Sequence, residues 1–204
     1  MDVEQKEMQL ISPFRKRGFH GLLATWLMTV LPEFVGAQSI SNQSFYVTGG
    51  TTHSDSPVRF AMLEGRRLLT PHVNYAAALV YLDGRRGYED LQLRLMASAS
   101  VTGSGWSLDA RQLISRGSSS EDRFRSRVRL VKGGLFGHER LSARAFDEIH
   151  ISLGGAGVLR NNYAAGLGFQ ASSGWNLELY HLWEDNRSTS NGTYWLLMAT
   201  HNVN

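Results

Sequence analysis

From residue 38 onward, apolar and polar side chains alternate with a period of two in one short segment after another. Successive side chains of a strand point to opposite faces, so such segments read as strands with one greasy and one wet face. Residues 88–100 show the pattern well: Leu91, Leu93, Leu95, Ala97 and Ala99 alternate with Asp90, Gln92, Arg94 and Ser98. Residues 121–130 carry its most charged form. There Arg123, Arg125, Arg127 and Arg129 recur at every second place, and Phe124, Val128 and Leu130 fill most places between. A helix would scatter four such arginines around its circumference, whereas a strand gathers them on one face.

The same reading predicts strands over residues 41–50, 58–66, 72–83, 106–115, 141–153, 162–172, 175–185 and 193–201. Gly, Ser, Asp and Pro punctuate them, as at Ser56-Pro57, Asp83-Gly84, Gly103-Ser-Gly105 and Asn191-Gly192. Gly133-Gly134 and Gly137 are expected to end the arginine strand, and Asp147, which breaks the alternation around it, to mark a bulge or a rim position. No segment carries a helical period. Strands of about nine to thirteen residues are long enough to cross a bilayer when tilted. Sequential strands joined by short turns imply an up-and-down meander, and a meander of this size leaves no exposed edge only by closing. The expected fold is all-β: a closed, up-and-down antiparallel β-barrel of about ten strands, bracketed by eight and twelve.

The first 37 residues stand apart. Phe14-Arg-Lys-Arg17 is basic, residues 21–31 are apolar, and Val35-Gly-Ala37 offers the small residues that a signal peptidase reads. The apolar run falls short of the roughly 20 residues a transmembrane helix needs. Residues 1–37 therefore read as a signal peptide for Sec export, with translation beginning at Met1 or Met8, and residues 38–204 as one barrel domain. There is no cysteine, so no disulfide holds the fold in a compartment that would permit one. From Gln38 the basic side chains are sixteen Arg and a single Lys, Lys132. Arginine is favoured for planar, bidentate ion pairs in an enclosed polar interior or against phosphate-bearing lipid. The formal net charge of +3 makes no case for nucleic acid, and the arginines lie opposite apolar faces rather than in a basic-aromatic patch.

Which face is inside decides the environment. A soluble barrel packs its apolar face inward, whereas an outer-membrane barrel turns it to lipid and lines its lumen with the polar one. The export signal, the Arg-rich polar faces and Trp106, Trp175, Trp183 and Trp195 near strand ends favour the outer membrane. The expected partners are outer-membrane lipid, lipopolysaccharide and the outer-membrane assembly machinery. A soluble periplasmic, lipocalin-like binding barrel is the alternative.

The polar faces supply Arg94, Arg111, Arg123, Arg125, Arg127, Arg129 and Arg144, with Asp90, Asp109, Glu148 and Glu178 as carboxylates. Strands lie about 4.8 Å apart, so opposed Arg and Glu side chains can pair. An ion-pair network is expected in the lumen, with Glu148 as its acidic centre facing the arginine strand. The alternative is a lumen that binds or conducts a small anionic solute. His150-Ile-Ser152 is the one enzymatic motif. Lipid A deacylases use a His-x-Ser pair with a Glu, but on the lipid face; here the alternation turns the pair to the polar face, and Leu153 follows the serine. No catalytic residue is assigned on this reading. The seven histidines lack ligand spacing, and no helix follows Gly154-Gly-Ala-Gly157 to cradle a phosphate, so neither metal nor other cofactor is expected.

Four segments carry a family resemblance: Arg123-Phe-Arg-Ser-Arg-Val-Arg129, Ala145-Phe-Asp-Glu-Ile149, Asn161-Asn-Tyr-Ala-Ala-Gly-Leu-Gly-Phe169 and Trp175-Asn-Leu-Glu-Leu-Tyr180. Over about residues 109–204 the chain resembles the bacterial domain-of-unknown-function family 2490. The Phe-Asp-Glu segment after the arginine strand is the distinctive part. Asn161-Asn162 departs from the Asn-Arg that the family often shows, with Arg160 one place earlier. The closing Thr200-His-Asn-Val-Asn204 lacks the terminal aromatic residue common in outer-membrane barrels. The resemblance implies an outer-membrane β-barrel and no particular activity.

Overall fold

A computed structural model describes residues 43–54, 57–84, 88–187 and 191–203; the signal peptide expected over residues 1–37 lies outside them. The described residues form ten strands: β1 (Gln43–His53), β2 (Val58–Thr70), β3 (Val73–Gly84), β4 (Glu89–Gly103), β5 (Trp106–Gly117), β6 (Arg123–Leu135), β7 (His138–Ser152), β8 (Val158–Gln170), β9 (Trp175–Asn186) and β10 (Gly192–Val203). Each pairs antiparallel with the next, and β1 pairs with both β2 and β10, so the sheet closes on itself. Closure pairs every strand on both sides and leaves no open edge. Connectors at one rim are short, two residues between β4 and β5 and between β6 and β7; those at the other rim reach five, as at 118–122 and 153–157.

The strands run 11 to 15 residues, longer than their alternation suggests. Gly133 and Gly134 do not end β6. The ladder passes through them to Leu135 with a register shift between Gly133 and Leu135, and the turn falls at Phe136-Gly137, where φ is +53° and +78°. Glycine at a positive φ, here Gly134 at +71°, absorbs a bulge without breaking the pairing. Asp147 marks neither bulge nor rim. It sits in unbroken register between Val128 of β6 and Tyr163 of β8 with its side chain on the outer face, and the irregularity in β7 lies instead between His150 and Ile151. β8 starts at Val158, four residues ahead of the expected Asn162.

Outward positions are apolar and exposed around the wall: Leu63 on β2, Leu95 on β4, Ile114 on β5, Val128 on β6, Leu167 on β8, Leu179 on β9 and Leu197 on β10. Trp106 and Trp175 stand at the short-turn rim, and Trp183 and Trp195 toward the other; all four face outward. Inward positions are buried and carry most of the charge: Glu64, Asp90, Asp109, Glu148 and Glu178 are each under 9% exposed. In water this arrangement would expose a largely apolar surface while burying carboxylates; in a bilayer that surface meets hydrocarbon and the closed ladder pairs the strand backbones. The molecule is an outer-membrane β-barrel.

The interior is not polar throughout. On β3 both faces are apolar, and Ala76, Ala78 and Val80 pack inward with Met96 and Leu113, against Phe60, Met62 and Leu82. Ala164, Tyr180 and Leu182 form a second inner cluster with Phe146, Tyr194, Leu196 and Met198. Two apolar wedges thus flank the charged wall.

Candidate functional site: the arginine-rich interior

Alternation along each strand decides which groups enter the lumen. Among the described residues nine arginines point inward: Arg66 (β2), Arg94 (β4), Arg111 (β5), Arg123, Arg125, Arg127 and Arg129 (β6), Arg144 (β7) and Arg160 (β8). Six carboxylates on the strands share that space: Glu64, Asp90, Asp109, Glu148, Glu178 and Glu184. On the described strands three inward guanidiniums are therefore in excess.

Glu148 occupies the middle of β7 and is 5% exposed. Its Oε1 accepts from Arg125 Nη2 at 2.5 Å and Nε at 3.2 Å, and lies 2.9 Å from His150 Nε2. Register sets Arg127, not Arg125, directly across from Glu148. The guanidinium stem is long enough to bridge the diagonal, while Arg127 lies over the Phe146 ring, 5.5 Å from its centroid. Toward the short-turn rim, Glu178 accepts from Arg144, from Asn176 Nδ2 at 2.6 Å and from the Tyr180 hydroxyl at 2.6 Å. Gly168 makes room for this cluster, since a Cβ there would run into the Arg144 guanidinium. Arg66 pairs with Glu64 at 2.6 Å, and Arg160 with Glu184 at 2.9 Å.

At the long-loop rim, Asp90 is 1% exposed and lies under the serine loop. It accepts from Ser120 Oγ at 2.5 Å, Gln92 Nε2 at 2.8 Å, the Ser119 amide at 2.9 Å and Ser118 Oγ at 3.2 Å. Four donors replace the hydration that a buried carboxylate loses.

Of the expected network, the structure joins Arg125 to Glu148 and Arg144 to Glu178. Asp109 is held only loosely, 3.7 Å from Arg129 Nε and 4.0 Å from Arg127 Nη2, and its Oδ1 has no hydrogen bond. Arg94 bonds to the neutral Gln92 Oε1 at 2.8 and 3.1 Å, and Arg111 reaches only Met96 Sδ at 3.9 Å. No carboxylate lies within ion-pair distance of Arg94, Arg111 or Arg123 among the described residues. Glu64–Arg66 was readable from its spacing of two on one strand, a signal left unused. The serine cap was not, because it joins residues 28 to 30 positions apart.

His150 and Ser152 both face inward, at 2% and 5% exposure. His150 bonds to Glu148 and contacts Asn162 Nδ2 at 3.4 Å, while Ser152 donates to Glu121. Neither bonds the other, and neither reaches lipid.

No family model and no curated protein matches the chain. Among solved structures it is similar to the KdgM porin (8% identity, TM-score 0.49, 79% of this chain and 99% of that one). It is also similar to the NanC porin (7%, 0.49, 78% and 100%) and to LpxR from Salmonella typhimurium (10%, 0.47, 86% and 95%). At such identities and scores these likenesses say nothing about what this barrel binds or does.

Proposed function

We propose that the protein is a closed, non-conducting barrel with a structural role in the outer membrane, its interior locked by the Arg125–Glu148 and Arg144–Glu178 pairs. The supporting observation is the burial of inward side chains: Val80 is 0% exposed, Asp90 and Tyr180 1%, and His150 and Glu64 2%. The wall of an open aqueous pore would be wet at these positions. Outer-membrane lipid, lipopolysaccharide and the assembly machinery are its partners on this reading, and membership of family 2490 belongs to the same proposal. The inward course of His150 and Ser152 supports leaving lipid A hydrolysis unassigned on this reading. Purified protein inserted in planar bilayers tests the proposal. A heat-modifiable gel shift without unit conductance steps is the expected result; reproducible ohmic steps would overturn it. The excess of guanidiniums favours a second reading, a lumen that admits small anions.

A further inference from the structure

We infer that the interior holds an oxyanion-binding site between Arg111 and Arg127, selective for tetrahedral dianions such as phosphate. The site deepens the anion reading and does not require conduction. Register sets Arg111 of β5 directly opposite Arg127 of β6, two like charges on one inner face. Facing like charges destabilise a strand pair unless something negative lies between them. Among the described residues Asp109 is the only carboxylate within 4.0 Å of Arg127, and it is shared with Arg129 at 3.7 Å. Arg111 has no carboxylate so close. The Nε atoms of Arg111, Arg127 and Arg129 are buried without hydrogen-bond partners. Three guanidiniums gather around one loosely held carboxylate; Glu64, Glu148 and Glu178 are engaged at short range by Arg66, Arg125 and Arg144 instead, so no carboxylate closes tightly on Arg111, Arg127 or Arg129.

Guanidinium is a planar fork that grips a pair of oxygens. A carboxylate has one such pair and satisfies one fork. A tetrahedral oxyanion presents two pairs, one to each facing arginine, and its second charge answers the excess. The Arg127 side chain is 15% exposed, which leaves free surface beside it. Asp109 opposes the bound anion, which makes it the useful probe.

Full-length protein folded in detergent is heated with inorganic phosphate, and its unfolding midpoint is compared with that in sodium chloride of matched ionic strength. The midpoint should rise with phosphate and saturate, with sulfate acting similarly and acetate weakly. Arg111→Met should lose the saturable rise. Asp109→Asn should lower the half-saturating phosphate by about tenfold, as expected if removal of one opposing charge is worth about 1.4 kcal/mol. A purely structural ion pair predicts no such gain. A response identical in chloride and phosphate would overturn the site, as would an unchanged half-saturation in both variants. If Arg111→Met does not fold, Asp109→Asn with wild type decides alone. Conductance is read separately: a conducting barrel with saturable phosphate binding overturns occlusion and keeps the site, and a silent barrel blind to phosphate does the reverse.

Discussion

The interior has two kinds of wall. Along β6 and β7 it is made largely of charge: four arginines on one strand face Ser152, His150, Glu148 and Phe146 on the next, and Arg144 follows two places beyond Phe146. Along β3 it is made of Ala76, Ala78, Val80 and Leu82, with hardly a polar atom beyond the backbone. The charged wall alone would draw water, and water would screen its pairs to the small value of surface ion pairs. The apolar wall fills space and excludes that water. Charge on one side therefore gains its strength from grease on the other. The bond that matters most should be the most enclosed one.

Glu148→Ala breaks the charged wall at its centre. It strands Arg125 and frees His150, and loss of one partner of a buried pair costs about 3–5 kcal/mol. Equilibrium urea unfolding in phospholipid vesicles measures it; a loss under about 1 kcal/mol, the range of an exposed pair, would mean the interior is wet. Val80→Ala thins the apolar wall. Two lost methyl groups with the space they leave cost about 2 kcal/mol, and a cavity that admits water should also raise amide exchange on β3, measured by mass spectrometry. The smallest effect is expected from Arg116→Ala on the outer surface. Arg116 lies 3.6 Å from Asp122, with the two side chains 66% and 42% exposed, and such pairs contribute about 0–1 kcal/mol. A change in its unfolding midpoint comparable to that of Val80→Ala would erase the distinction between inside and outside.

Alternation made the arginine strand readable, because a period of two puts Arg123, Arg125, Arg127 and Arg129 on one face whatever their neighbours. It could not tell which of two apolar faces of β3 turns inward, since both are apolar. Asp147 misled for a related reason. A polar residue at an outward place reads as a shift in register, yet the ladder holds Asp147 between Val128 and Tyr163 and leaves its carboxylate on the outer wall. Gly133-Gly134 looked like a stop because glycine ends strands as often as it bends them, and only the continuing pairs with β7 separate the two outcomes.

By itself the sequence determined the order of about ten strands, their meander and the one-sided placement of their charge, all of which follow from the local geometry of an extended backbone. Closure of β1 on β10, the diagonal choice of Arg125 by Glu148, the serine cap on Asp90 and the facing of Arg111 and Arg127 were decided only in three dimensions. Those depend on stagger between strands and on the reach of long side chains across the lumen, quantities that no single strand carries.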